Sequence, residues 1–184
     1  MKKCARITGI IFGVMMISLS FLITVETIIR KLFSISMGGV DELSGYAIAI
    51  GALLALVVTS VEQAHIRINL LYLKLPKVPQ ALLNFVSSIS IAALALFFLY
   101  FTFGTVMDTW TYRSIAQTPW ATPLIYPQAF WLAATIFFAL ITFILAMKAV
   151  VKLVQRDWDC LSTQFGPERV EDELAAELQD LERR

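Results

Sequence analysis

The sequence contains little charge, and the charge that it contains nearly cancels. Charged residues make up 16% of the 184 residues and the formal net charge is +1, so the chain lacks the basic patch that a nucleic-acid-binding protein needs. Hydrophobic residues, at 58%, are too abundant for an intrinsically disordered chain. A soluble domain of this length could not bury so much apolar surface, so the composition indicates a protein that lies in a lipid bilayer.

Residues that usually carry catalysis or bind metals are also scarce. The chain has one histidine, His65, and two cysteines, Cys4 and Cys160, which are far from C-x-x-C spacing. Zinc and haem sites need several converging ligands, and the sequence has no phosphate-binding glycine loop and no nucleophile motif. We therefore expect no enzymatic activity, no cofactor and no metal site.

Four long stretches are free of Lys, Arg, Asp and Glu, namely 7–25, 43–61, 78–107 and 114–147. A transmembrane helix needs about 20 mostly apolar residues, so each stretch is long enough to span a bilayer. The first stretch lacks the small-residue cleavage site of a signal peptide, which favours an uncleaved anchor. The sequence predicts an all-α integral membrane protein with four transmembrane helices, at about 7–29, 43–61, 81–103 and 128–151.

The distribution of Lys and Arg predicts the orientation, because cytoplasmic loops are enriched in these residues. With the N-terminus inside, the other side of the membrane holds only Arg30, Lys31 and Arg113. Both termini are therefore expected in the cytoplasm. The predicted transmembrane domain covers 1–152. The segment 153–184, which is rich in Asp and Glu, is expected to form an acidic cytoplasmic tail that is either solvated or folded as a short amphipathic helix.

Two connections between the predicted helices contain unusual residues. The segment 62–80 mixes apolar residues with His65 and Arg67, which fits either an interfacial segment with its cations toward the lipid headgroups or a partly buried loop. The loop before the last helix is rich in aromatic residues that favour the headgroup level, namely Trp110, Tyr112, Trp120 and Tyr126. Both segments are therefore expected near the membrane surface.

The remaining signals in the helices concern packing. Glu26 precedes Arg30 by four residues, a spacing that predicts an ion pair near the membrane surface, whereas a proton-coupling carboxylate would lie deeper. Small residues at i+4 spacing let helix backbones approach closely. The second helix carries such a ridge, which includes Gly51 and Ala55, and Ala129 and Ala133 begin a shorter one on the fourth. These ridges predict close helix contacts without indicating the partner.

The order and spacing of several short motifs resemble the small membrane subunit of tripartite ATP-independent periplasmic (TRAP) transporters. The motifs lie within 25–144 and comprise Asp41-Glu42-Leu43, Gly51, Glu62-Gln63-Ala64-His65-Ile66-Arg67-Ile68-Asn69, Leu75-Pro76 and Thr122-Pro123-Leu124-Ile125-Tyr126-Pro127-Gln128. Val40, Glu62 and Asn69 depart from the residues that are common in that family.

This resemblance implies an accessory or scaffold subunit of a sodium-coupled importer in the bacterial inner membrane. The implied partners are a large membrane subunit that binds an organic acid, an extracytoplasmic binding protein that delivers it, and membrane lipids. Asp41 and Glu42 would lie at the outer end of the second helix, where carboxylates favour the positive end of the helix dipole. His65 and Arg67 would orient the inner connection or contact lipid phosphate.

Two other functions are compatible with the residues themselves. A stand-alone or homodimeric membrane carrier would transport its substrate without a second subunit. A four-helix membrane enzyme or redox anchor would hold a bound cofactor.

Overall fold

The computed structural model describes residues 2–64, 72, 75–158 and 178. It contains four long helices, which are α1 (Lys2–Phe33), α2 (Val40–Glu62), α3 (Lys77–Tyr112) and α4 (Ile125–Val154). Each of them is long and apolar enough to cross a membrane. The predicted fold class, an all-α protein with four membrane-spanning helices, is therefore confirmed.

The helices are longer than the predicted transmembrane spans. α4 begins at Ile125, so Pro127 lies in its first turn, where a proline is tolerated because its missing N–H would have no partner inside the helix. α1 continues through Arg30 and Lys31 to Phe33. Both cations lie in the last turn of α1, where positive charge is stabilised by the negative end of the helix dipole.

Three of the helices are followed directly by a residue in the left-handed conformation. Ser34 follows α1 with φ 54°, and its backbone N–H bonds to the Arg30 carbonyl at 3.1 Å. Gln63 follows α2 with φ 56°, and its backbone N–H bonds to the Thr59 carbonyl. Arg113 follows α3 with φ 49°, and its backbone N–H bonds to the Thr109 carbonyl. This geometry satisfies carbonyl groups that would otherwise be orphaned, and it turns the chain away from the helix axis.

The four helices are arranged in a row rather than in a ring. α1 packs against α2, α2 packs against α4, and α4 packs against α3. Only 6% of the most apolar stretch of α1 is buried inside the protein, compared with 39% for α4. α1 and α3 therefore form the two ends of the row, and α4 is the most deeply buried helix.

The main core cluster draws on α2, α3 and α4, and its buried members are Leu53, Val57, Ala95, Ala134, Phe138, Ala139 and Ile141. Phe138 is its one aromatic member and is only 1% exposed. By contrast Phe97, Phe101 and Phe103 on α3 are each more than half exposed. The outward phenylalanines are thus available to lipid or to another subunit.

The contact between α3 and α4 is built from small side chains. The buried residues of α3 are Ala81, Asn84, Ser88, Ala92, Ala95, Thr102 and Thr109. Those of α4 include Ala134, Thr135, Ala139, Thr142, Ala146 and Ala149. Small residues allow close approach of membrane helices, which lack a hydrophobic driving force between them. The shorter ridge predicted at Ala129 and Ala133 is not this surface, since both residues are exposed and the buried line begins at Ala134.

Several predictions fall on residues outside the described part of the chain. His65 and Arg67 lie there, with most of the proposed interfacial connection, and so does nearly all of the acidic tail after residue 158. The cytoplasmic location of the termini and the division at residue 152 stay predictions.

Candidate functional site

Two loops meet at one end of the helix row. One joins α1 to α2 over residues 34–39, and the other joins α3 to α4 over residues 113–124. We call these two segments together the loop platform. Two carboxylates of the adjoining helices, Glu26 and Glu42, each hold one of the loops in place. In the predicted orientation, this end faces away from the cytoplasm.

Glu26 fixes the first loop to the end of α1. Its carboxylate accepts hydrogen bonds from the Arg30 guanidinium at 2.9 and 3.3 Å, from Ser36 Oγ at 2.8 Å and from the Met37 backbone N–H at 3.0 Å. Glu26 is 3% exposed. The predicted ion pair with Arg30 is confirmed, but the carboxylate also closes the loop that follows α1.

Glu42 ties the first turn of α2 to the second loop. Its carboxylate accepts hydrogen bonds from the Tyr46 hydroxyl at 2.7 Å and from the hydroxyls of Thr118 and Thr122. Glu42 is 8% exposed, whereas its neighbour Asp41 is exposed. The two members of the predicted acidic pair therefore differ. Both lie in the first turn of α2, but Glu42 alone of the two holds a distant loop.

No cation pairs with Glu42 among the residues that the structure describes. Its negative charge is instead balanced by hydroxyl donors and by the positive end of the α2 dipole. Hydrogen bonds to an ionised carboxylate are about twice as strong as those between neutral groups. The carboxylate is thus occupied by donors within the chain, which suits a structural role better than proton transfer.

The two loops also pack directly on each other at a pair of glycines. A Cβ atom on Gly39 would lie 2.1 Å from Cδ2 of the Trp120 ring, and one on Gly38 would lie 3.4 Å from Pro119. Gly38 has φ 73°, a conformation that side chains other than glycine rarely adopt. The Gly38-Gly39 pair is therefore required both for the turn and for the close approach of the second loop.

The second loop has a defined fold of its own. Ile115 and Pro123 form an antiparallel bridge, with hydrogen bonds from the Ala116 N–H to the Thr122 carbonyl at 2.9 Å and from the Leu124 N–H to the Ser114 carbonyl at 3.1 Å. The bridge brings the two ends of the loop together. The middle of the second loop, which carries Pro119 and Trp120, packs against the first loop.

The small-residue ridge of α2 lies away from the loop platform, in the contact with α1. Gly51 is buried, and a Cβ atom there would lie 2.6 Å from Met16 Cε and 2.9 Å from Met15 Cε. Ala55 is half-buried one turn further along α2. The structure therefore gives Gly51 an internal partner, since the side chains of α1 occupy the space beside it.

Residues that complete the loop platform carry little signal in the sequence. Tyr46 could have been found, because it follows Glu42 by four residues on the same helix face. Thr118 is 76 residues from Glu42, and no local pattern links the two. Within the described residues, no group of three His, Cys, Asp or Glu side chains could hold a metal ion. His65 and Arg67 lie outside these residues.

The sequence of the chain matches the model of a known protein family. The family model described as "Tripartite ATP-independent periplasmic transporters, DctQ component" matches residues 19–156, which is well over half of the chain and includes all of α2, α3 and α4. No curated protein matches the chain. The chain therefore belongs to the DctQ family, the small membrane components of TRAP transporters, and is a multi-pass protein of the bacterial inner membrane.

Proposed function

We propose that this TRAP component acts as a static scaffold subunit in a sodium-coupled importer of an organic acid. The observation that carries the proposal is the family match on a set of helices whose central stretches contain no Lys, Arg, Asp or Glu. Proton and ion pathways through a membrane usually need ionisable residues deep in the bilayer. The substrate and sodium sites are therefore assigned to a large membrane partner rather than to this chain.

The exposed helices support a role in widening such a complex. α1 contacts α2 and otherwise presents large apolar side chains, including Ile10, Ile17 and Phe21, each more than half exposed. At the opposite edge of the row, α3 also presents large exposed apolar side chains, including Phe97 and Phe101. A row of helices with two apolar edges can pack against a large membrane subunit along one edge and against lipid along the other.

The loop platform is the surface that we assign to the extracytoplasmic binding protein. It and its flanks expose Trp120, Tyr112 and Tyr126, which are 52%, 77% and 65% accessible. Aromatic side chains of this kind are enriched at protein interfaces. The bonds to Glu26 and Glu42 keep both loops in one conformation, which lowers the entropic cost of docking.

The proposal is tested by co-expressing the chain with the large permease subunit of its transporter and reconstituting both in vesicles. We expect the two to co-purify, and uptake of an organic acid to require an inward sodium gradient, the binding protein and both membrane subunits. Vesicles with each subunit alone are the controls. Full uptake by the large subunit alone would contradict the scaffold role, and uptake by this chain alone would indicate a stand-alone carrier.

A further inference from the structure

A cleft opens beside the loop platform, between the end of α3 and the start of α4. Its volume is about 640 Å³, and it is lined by Trp110 and Arg113 from the end of α3, by Ser114, Ile115 and Pro123 from the bridged base of the second loop, and by Ile125 from α4. A space of this size accommodates a small molecule or a lipid headgroup.

The walls of the cleft are held by backbone hydrogen bonds. The Ser114 and Leu124 backbones are joined across the base of the second loop at 3.1 Å. Arg113 caps α3 in the left-handed conformation, and its N–H bonds to the Thr109 carbonyl. Backbone hydrogen bonds therefore fix the positions of Arg113, Ser114 and the base of the second loop at the cleft.

Arg113 supplies the positive charge of this cleft. Its guanidinium makes no ion pair and no hydrogen bond with another residue of the described chain, in contrast to Arg30, which is bound by Glu26. Arginine stays charged at any physiological pH, and its planar guanidinium matches the geometry of phosphate oxygens. The cleft thus offers an unused donor set to a phosphate.

The other lining residues include the hydroxyl side chains of Thr109, Thr111 and Ser114, together with amphipathic and apolar side chains. Trp110 is 69% exposed and Ile115 is 58% exposed, and both line the cleft with Arg113. Tryptophan favours the headgroup level of a bilayer, where one side of the ring meets apolar chains. A ligand that satisfies this surface carries a phosphate on an apolar body and is located where a membrane helix ends.

We propose that this cleft binds the headgroup of an anionic glycerophospholipid, with Arg113 on the phosphate and with Trp110 and Ile115 against the glycerol and the first methylenes. The source of the phosphate is the bilayer rather than the solution, because the cleft lies between the ends of α3 and α4, two helices that are long and apolar enough to cross a membrane. This inference does not depend on the proposed transport role.

The test measures retention of phosphatidylglycerol by the purified full-length chain. Native mass spectrometry in detergent, titrated with phosphatidylglycerol, gives the affinity for wild type and variants. Arg113→Gln is expected to weaken it about tenfold, the effect of losing a hydrogen-bonded charge pair. Lys31→Gln is the matched control, since it removes one positive charge at the same end of the protein but outside the cleft. Trp110→Ala is expected to weaken retention as well.

Several outcomes would overturn the proposal. Equal retention of phosphatidylglycerol by wild type and Arg113→Gln would show that the guanidinium does not bind the lipid. If Lys31→Gln lost as much affinity as Arg113→Gln, the lipid would be attracted by net charge alone. Displacement of the lipid by inorganic phosphate at matching concentrations would assign the site to free phosphate. Arg113→Lys, which keeps the charge without the planar geometry, is expected to give intermediate affinity, and this separates loss of binding from misfolding.

Discussion

The contact between Gly39 and Trp120 gives the sharpest test of the loop platform. In a Gly39→Ala variant, the new methyl group would lie 2.1, 2.2 and 2.5 Å from three atoms of the indole ring. Carbon atoms normally approach to about 3.5–4.0 Å, so the ring has to move by roughly 1.5 Å. The backbone adds no strain, because Gly39 has φ −134°, which alanine adopts readily.

The expected cost follows from what the ring can do. Trp120 is 52% exposed, so it can tilt away from the first loop instead of compressing its neighbours. Overpacking substitutions of this kind destabilise by about 1–3 kcal/mol, and the exposed ring places this one toward the lower end. Displacement of Trp120 also loosens Thr118, two residues earlier, which donates to Glu42. The second loop is therefore expected to separate from α2.

Thermal unfolding of the full-length chain in detergent, followed by tryptophan emission, measures both effects. Gly39→Ala is expected to lower the unfolding midpoint and to shift the emission to longer wavelength. Gly45→Ala, in the helix that follows Gly39, is the matched control, because a Cβ there meets no atom within 4 Å. Glycine within a helix costs roughly 0.5–1 kcal/mol relative to alanine, so this substitution is not expected to destabilise the protein.

A double-mutant cycle isolates the contact. In a Trp120→Ala background, where the clashing ring is absent, Gly39→Ala is expected to have little effect on the unfolding midpoint. If Gly39→Ala instead proved as stable as Gly45→Ala in the wild-type background, with unchanged emission, the packing of the two loops described above would be wrong.

Two further substitutions test the carboxylate and the helix contact. Glu42→Gln is expected to lower the unfolding midpoint and to weaken binding-protein docking, because three hydroxyls lose their charged acceptor. Asp41→Asn, at the exposed neighbouring position, is the control and is expected to change neither quantity. Equal effects of the two substitutions in thermal unfolding and docking assays would refute the special role of Glu42. Gly51→Leu is expected to cost about 1–3 kcal/mol by forcing Met15 and Met16 of α1 away from α2. Gly13→Leu is the control for this substitution, because a Cβ at Gly13 meets no atom within 4 Å. The accessibility of cysteines introduced on α1 measures the separation of α1 from α2. Equal accessibility in the two variants would place Gly51 outside the α1–α2 contact.

The features that the sequence predicted well are those with a local physical cause. Long stretches without charge identify the four spans, since a charged side chain is costly in hydrocarbon wherever its neighbours lie. The Glu26–Arg30 pair follows from one turn of helix. The bonds from Ser36 and Met37 to the same carboxylate depend on the path of a loop, and the bond from Thr118 to Glu42 joins parts of the chain that are 76 residues apart. No periodicity encodes such pairs.

Helix faces were harder to predict for a reason that is specific to membranes. In a soluble helix, polar residues mark the side that faces water, and this contrast sets the phase of the buried stripe. The central stretch of α4 carries no charge on any face, so the pattern does not distinguish Ala133 from Ala134, yet only Ala134 of the two is buried. Likewise the sequence predicted that Gly51 permits close packing, but the identity of the side chains beside it required the position of α1.

The row order of the helices has a consequence for how the protein is assembled in the cell. Two of the three helix contacts join helices that are consecutive in the chain, α1 with α2 and α3 with α4. Each pair can therefore form as soon as its second helix leaves the insertion machinery, since membrane helices insert first and associate afterwards. The remaining contact, between α2 and α4, forms last, because α4 is the final helix to be made. That late step also brings Thr118 to Glu42, so the surface above the membrane is completed only when the whole bundle is in place.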